Sequence, residues 1–294
     1  MTKVATILGQ FVAPTTLLTA VLFYFGWNHT YWFFEYFGVN STSLHPSIRE
    51  YLMRSVDALF VPLIVAGVAG MALMWGYIAL PESVRRGRHP RWHTITMTVA
   101  AVALVFNGVS RIYFVTPLNS GLCAAPLSII VGVGVLGYVV AVRRKRLREL
   151  HPDTPPRTEA ATFLEWAIIF VLVGITLFWI ATDYSVAVGQ TRARETAAEI
   201  PSHPGVVVYS EKDLHLSASD VRVVECRSPD PAAGSAYRFR YDGLVLLTQI
   251  GDQYVLLPTT WRYRHGAVIV LPTSSPGNIR FEYRLSGDHA TDTC

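Results

Sequence analysis

The sequence predicts a membrane protein: an α-helical transmembrane bundle of five spans followed by a small all-β sandwich or barrel domain. Three observations predict it. The composition is 51% hydrophobic and only 16% charged, whereas an ordinary soluble domain carries roughly a quarter charged residues. The apolar residues are also unevenly spread. Residues 1–185 hold five uncharged runs, each close to the ~20 residues that cross a bilayer. Residues 190–294 hold no such run, and read as short segments rich in β-branched and aromatic residues between turn formers. The expected division is a transmembrane domain over 1–185, a stalk over 186–204 and a β domain over 205–294.

The first span covers about 4–27, with no charge before Glu35. It is too long for a removable signal peptide and lacks the small-residue cleavage site of one. The second covers about 56–80. The third covers about 93–115 and carries Arg111 near its end. The fourth covers about 122–142. The fifth covers about 166–182, where Glu165 and Asp183 flank the uncharged core AIIFVLVGITLFWIA. Orientation follows from the basic residues of the loops. Arg85, Arg86, Arg88 and Arg91 follow the second span, and Arg143, Arg144, Lys145, Arg146, Arg148 and Arg157 follow the fourth. The loop after the first has only Arg49 and Arg54, and the short loop after the third has none. The N-terminus is therefore expected in the cytoplasm and the C-terminal domain outside it. Lysine occurs only at Lys3, Lys145 and Lys212. That bias suits a GC-rich genome and a bacterial plasma membrane, with the lipid bilayer as first partner.

The stretch GWNHTYWFFEYFG, residues 26–38, follows the first span. Aromatic rings favour the headgroup depth, so it reads as an interfacial segment, with a ligand pocket as the lesser alternative. His29 alone is a weak haem signal, since no CxxCH motif occurs. Asn28 and Asn40 begin Asn-x-Thr sequons, which a bacterial setting leaves unmodified. Next, SIREYLMRSVDALF supports a helix starting near Ser47, with Glu50, Arg54 and Asp57 on one side. Ionisable groups in a span are functional suspects by default. Asp57 and Arg111 fall at similar depth, and Asn107 lies one turn from Arg111, so the three form a candidate intramembrane polar network. A structural ion pair, or an outward-reaching arginine, is the plainer reading. Glu165 stands alone. GVGVLG, ending at Gly137, matches the dinucleotide-binding pattern literally but has no preceding strand; small residues there suit close helix packing.

In the last third, GVVVY, DLHLS, VRVVEC, YRFRYD, LVLLTQI, QYVLLP, AVIVLP and IRFEYRL read as eight strands. Over 237–242 and 279–285 apolar and charged residues alternate, as in half-buried strands. Gly251–Asp252 and His265–Gly266 read as hairpin turns. Cys226 and Cys294 form a possible disulfide if this part faces an oxidising space. Eleven basic side chains meet twelve acidic ones over 190–294, which argues against nucleic acid. No nucleophile elbow, zinc-protease helix or phosphate loop occurs. His203, His215, His265 and His289 are scattered, and no cofactor or metal site is expected.

FFEYFG, EYLMRSVDALFVPL, PGVVVYS and YDGLVLLTQIGDQYVLLP carry a resemblance. On them the chain resembles uncharacterised multi-pass bacterial membrane proteins of the actinobacterial type with a C-terminal β domain. The resemblance implies this layout and no chemistry. The function expected is non-enzymatic display: an anchored β domain that binds a protein or cell-envelope component, with an exposed strand edge as one docking mode. The alternative is an oligomeric pore or transport-type protein gated through Asp57 and Arg111. An envelope enzyme comes third.

Overall fold

The five uncharged runs fall on five helices: α1 (Thr2–Tyr36), α2 (Ile48–Ala79), α3 (Arg91–Ser110), α4 (Ala124–Leu150) and α5 (Glu159–Glu199). The computed structural model describes residues 2–79, 91–151, 158–216, 218, 220–226, 236–274 and 278–284, the side chains of 2–14, 57–61, 63, 66, 73, 77 and 91 excepted. Among the described residues three helices, α3, α4 and α5, are long and apolar enough to cross a membrane, against five expected. The apolar stretches of α1 and α2 contain side chains outside the described residues. The basic loop of Arg85, Arg86 and Arg88, and Arg157 after the fourth run, also lie outside them.

The chain divides into two compact units. The first gathers 1–25 and 56–185, the second 26–55 and 186–294. The second unit thus begins inside α1 and takes in the start of α2 and the end of α5, whereas the sequence reading left 26–55 with the membrane half. The reason is packing: the aromatic end of α1 forms part of the second unit's core.

In the first unit α1 meets α5 through Tyr24. Its hydroxyl lies 3.0 Å from Thr182 Oγ1 and its ring meets Phe178 edge-on at 5.3 Å. Helices α3 and α4 approach closely at two glycines. A Cβ on Gly108 would fall 2.6 Å from the Ala125 carbonyl oxygen, and one on Gly132 would fall 2.8 Å from that of Ala101. Gly132 opens the GVGVLG stretch and serves helix packing, as small residues do where backbones meet. The third expected span is shorter than predicted. α3 stops at Ser110, and Phe114 N–H returns to the Ser110 carbonyl at 2.9 Å. The buried Asn119 side chain holds this turn, accepting from Thr116 N–H at 2.7 Å and donating to Ser110 Oγ and the Phe114 carbonyl, each at 3.2 Å. Glu165 is paired after all, with Arg144 at 2.8 Å. Trp75, Ile95, Phe106, Phe163, Trp166 and Ile175 are exposed, a distribution that suits an apolar solvent.

The second unit is built on one open antiparallel sheet of six strands: β1 (Gly205–Ser210), β2 (Arg222–Glu225), β3 (Phe239–Ile250), β4 (Gln253–Pro258), β5 (Ile269–Pro272) and β6 (Ile279–Arg284). Their order is β5-β4-β3-β1-β6, with β2 beside the first half of β3. The expected sandwich or barrel is therefore corrected. The sheet is open, and among the described residues its faces are covered by a loop on one side and helix ends on the other, with no second sheet. Six strands replace eight for two reasons. YRFRYD and LVLLTQI fuse into β3 across Gly243, whose φ of +88° and close approach to the Asp220 carbonyl admit no side chain easily. DLHLS forms no strand, because the Tyr241 hydroxyl takes its polar groups: it accepts from Leu214 N–H at 2.7 Å and donates to Asp213 at 2.8 Å. Burial and Asp213 push the Tyr241 phenol up to about 12.

One face of the sheet packs Val206, Val208, Tyr241, Leu244 and Leu256 against Leu214, Leu216 and Val221 of that loop. The other packs Val245 and Leu257 against Phe37 and Ala193, and Ile250 and Val255 against Phe34 and Leu44. β1 is buried on both faces, which explains its unbroken apolar run. Further along the sheet Arg240 is 1% exposed. It makes a two-pronged pair with Asp242, Nε to Oδ1 at 3.1 Å and Nη2 to Oδ2 at 2.9 Å. The start of α2 is a capping box. Ser47 N–H donates to Glu50 at 2.6 Å and Glu50 N–H to Ser47 Oγ at 3.3 Å. The second Glu50 oxygen accepts from Gly251 N–H at 2.9 Å, tying the β3–β4 turn to the helix.

Candidate functional site

The second unit carries a cleft of about 1010 Å³. Three segments line it: the end of α1 with the turn after it, one stripe of α5, and the β4–β5 loop. The first is the same aromatic stretch expected at the headgroups. Trp32, Glu35 and Tyr36 stand three and four residues apart, so they share a face of α1. They line the cleft, while Phe33, Phe34 and Phe37 enter the core. Gln190 and Arg194, one turn apart on α5, form the second wall. Gly189 lets that wall come close to α1. A Cβ there would lie 2.8 Å from the His29 carbonyl oxygen and 3.3 Å from Trp32 Cβ.

The third wall is the loop carrying Trp261, Tyr263, Arg264 and Gly266. Trp261 N–H donates to the Pro258 carbonyl and His265 N–H to that of Arg262, both at 2.9 Å. The expected hairpin turn at His265–Gly266 is shifted: the left-handed residue is Arg264, with φ 63°. Gly266 is needed for space, because the Trp261 indole lies where its Cβ would be.

The rings form a connected set. Tyr36 and Tyr263 stack at 4.5 Å with 21° between planes, and Phe37 meets Trp261 at 5.0 Å. The Arg264 guanidinium lies over the Tyr263 ring, 5.2 Å from its centre. Trp261 is only 8% exposed, and its indole N–H has no hydrogen-bond partner among the described residues. Buried donors are nearly always paired. Glu35, Arg194 and Arg264 are exposed and form no ion pair with a described residue. The cleft therefore offers aromatic surface, one carboxylate and two guanidinium groups, none in an ion pair with a described residue, and one of the guanidinium groups rests on Tyr263.

The residues expected from sequence fall elsewhere. Asn107 donates to Ser128 Oγ at 3.2 Å, and Arg111 acts electrostatically on Asp183, both within the first unit. The Asp57 side chain lies outside the described residues, as does Cys294. Cys226 is disulfide-bonded and Cys123 is a free thiol. His29 is buried; desolvation first, then Arg54 and Arg192, lower its pKa to about 4. Asn28 is buried, and Asn40 Oδ1 caps a short turn by accepting from Thr42 N–H at 3.0 Å. His215 lies beside Asp213, Nδ1 to Oδ2 at 3.2 Å, on the surface. Among the described residues no group of three or more His, Cys, Asp or Glu side chains is placed to hold a metal ion.

Apart from the aromatic stretch, Asn40 and Gly266, which sequence reading took for a sequon and a turn, the cleft residues were not singled out by sequence reading. The three-residue and four-residue spacing of Trp32, Glu35 and Tyr36 was the available signal. The chain matches no protein-family model, no curated protein and no solved structure.

Proposed function

We propose that this chain is a five-span protein of a bacterial plasma membrane that displays its second unit outside the cell as a non-enzymatic recognition head. The cleft is its binding site for a partner or envelope component. The observation that carries the reading is the cleft's chemistry: aromatic rings beside charged groups that form no ion pair with a described residue. Binding sites combine apolar walls with a few convergent polar groups in this way. The exposed large apolar side chains of the first unit support the membrane setting, and the arginine-rich loops support the orientation.

Two measurements test it. Alkaline phosphatase, and separately a fluorescent protein active only in the cytosol, are fused after Cys294. Phosphatase activity without fluorescence is expected; fluorescence alone reverses the orientation and removes the envelope as the source of ligand. A photo-crosslinking amino acid is then placed at Tyr263, on the cleft, and at Val223, on the exposed edge strand β2. Adducts in living cells are expected at 263 and not at 223. Equal labelling, or none at 263, overturns the cleft as the recognition site.

A further inference from the structure

We infer that the cleft binds a saccharide carrying negative charge, as a carboxylate or a phosphate; this rests on reading the second unit as a recognition head. A sugar ring has an apolar C–H face and a rim of hydroxyls. It needs a flat amphipathic platform and scattered donors and acceptors, and aromatic side chains with polar tips supply the platform. Trp32, Tyr36 and Tyr263 bring such rings to the cleft, with Tyr263 47% exposed. Around them stand Glu35, Gln190 and the unpartnered indole N–H of Trp261.

The charge decides between a neutral and an acidic sugar. Arg194 and Arg264 outnumber Glu35 in the cleft, and the guanidinium fork matches carboxylate and phosphate oxygens two at a time. Arg264 also holds a left-handed backbone conformation that glycine would adopt without strain. A peptide is the poorer occupant. Strand addition, the mode that gives an extended peptide its main-chain hydrogen bonds, is closed here, because no strand residue lines the cleft. Acidic sugars reach an outer membrane surface either as wall polymer or as a glycolipid headgroup, and both present the same groups.

The test uses the full-length protein in nanodiscs. It is titrated with a soluble carboxylated oligosaccharide, a phosphorylated one and a neutral one of equal length, and with nanodiscs that contain an acidic glycolipid. Calorimetry measures affinity, and tryptophan fluorescence reports Trp32 and Trp261. Saturable binding of at least one acidic probe is expected, with the neutral probe weaker. Arg194→Gln and Arg264→Gly should each weaken acidic binding about tenfold or more, the size of losing one charge-assisted hydrogen bond. Arg264→Gly should do so with thermal stability unchanged or raised, which separates lost binding from lost folding. Preference for the soluble probe points to wall polymer, and preference for the lipid-borne one to a headgroup. Failure of both acidic probes, equal affinity for the neutral probe, or indifference to both arginine substitutions overturns the inference. If adducts still form at position 263 in cells, only the ligand class falls; if they do not, the recognition reading falls with it.

Discussion

Lowering the pH should destabilise the second unit through His29, by an amount the structure sets. His29 is 8% exposed. Burial, then the charges of Arg54 and Arg192, hold its pKa at about 4 against an ordinary value of 6.5. The native state therefore keeps the ring neutral where the unfolded chain already protonates it. Stability rises with pH wherever the unfolded state binds more protons, so the penalty is absent above pH 6.5, grows as pH falls, and is complete near pH 4. At about 1.36 kcal/mol per tenfold change in proton affinity, the gap from 6.5 to about 4 amounts to about 3 kcal/mol. For a unit of this size that is roughly 10 °C in Tm. The assay is thermal unfolding of detergent-solubilised protein at pH 7, 6, 5 and 4, for the native chain and for His29→Gln. The difference between the two curves removes every carboxylate common to both. The native chain should lose about 10 °C more than the variant by pH 4. Parallel curves would refute the assignment of a neutral, buried His29.

Other substitutions probe the remaining contacts. Asp242→Asn removes the carboxylate that grips the buried Arg240 guanidinium at two points and should cost about 3 kcal/mol, read by denaturant unfolding; a change below about 1 kcal/mol, the scale of a surface pair, would mean that this pair contributes little. Gly189→Val forces a side chain against the His29 carbonyl and should destabilise by about 1–3 kcal/mol. A stable variant would show that α1 and α5 part easily. Peptide mapping without reduction should recover Cys226 joined to Cys294, and alkylation of either as a free thiol would disprove that pairing.

Three of the five expected spans were legible as long apolar helices because their signals are local. A run of twenty uncharged residues announces itself in any context, and α3, α4 and α5 lie where such runs predicted. So does the alternation that marks β3 and β6. The boundary between the units was not legible. Nothing punctuates α1 at Gly26 or α5 at Val186, since both helices pass those points unbroken. Phe34 and Phe37 were also ambiguous by composition: the same aromatic run suits a headgroup layer or a protein core. What decides is their partners Val245, Ile250 and Val255, more than 200 residues away in the chain. YRFRYD and LVLLTQI read as two strands on either side of Gly243. Here its left-handed backbone lets the strand continue. Arg264 carried no signal at all, and the neighbouring Gly266 drew attention to the wrong residue.

The same long-range pairing has a consequence during synthesis. Phe34 and Phe37 are made early, yet their cover on the sheet begins only at Val245. At elongation speeds of about 5–20 residues per second, the ribosome needs roughly 10–40 s to make that interval. Throughout it the end of α1 lacks the sheet side of its core, with only Leu44 and later Ala193 available to pack on it. Folding of the second unit thus waits for β3 and β4, which supply the sheet side of that core.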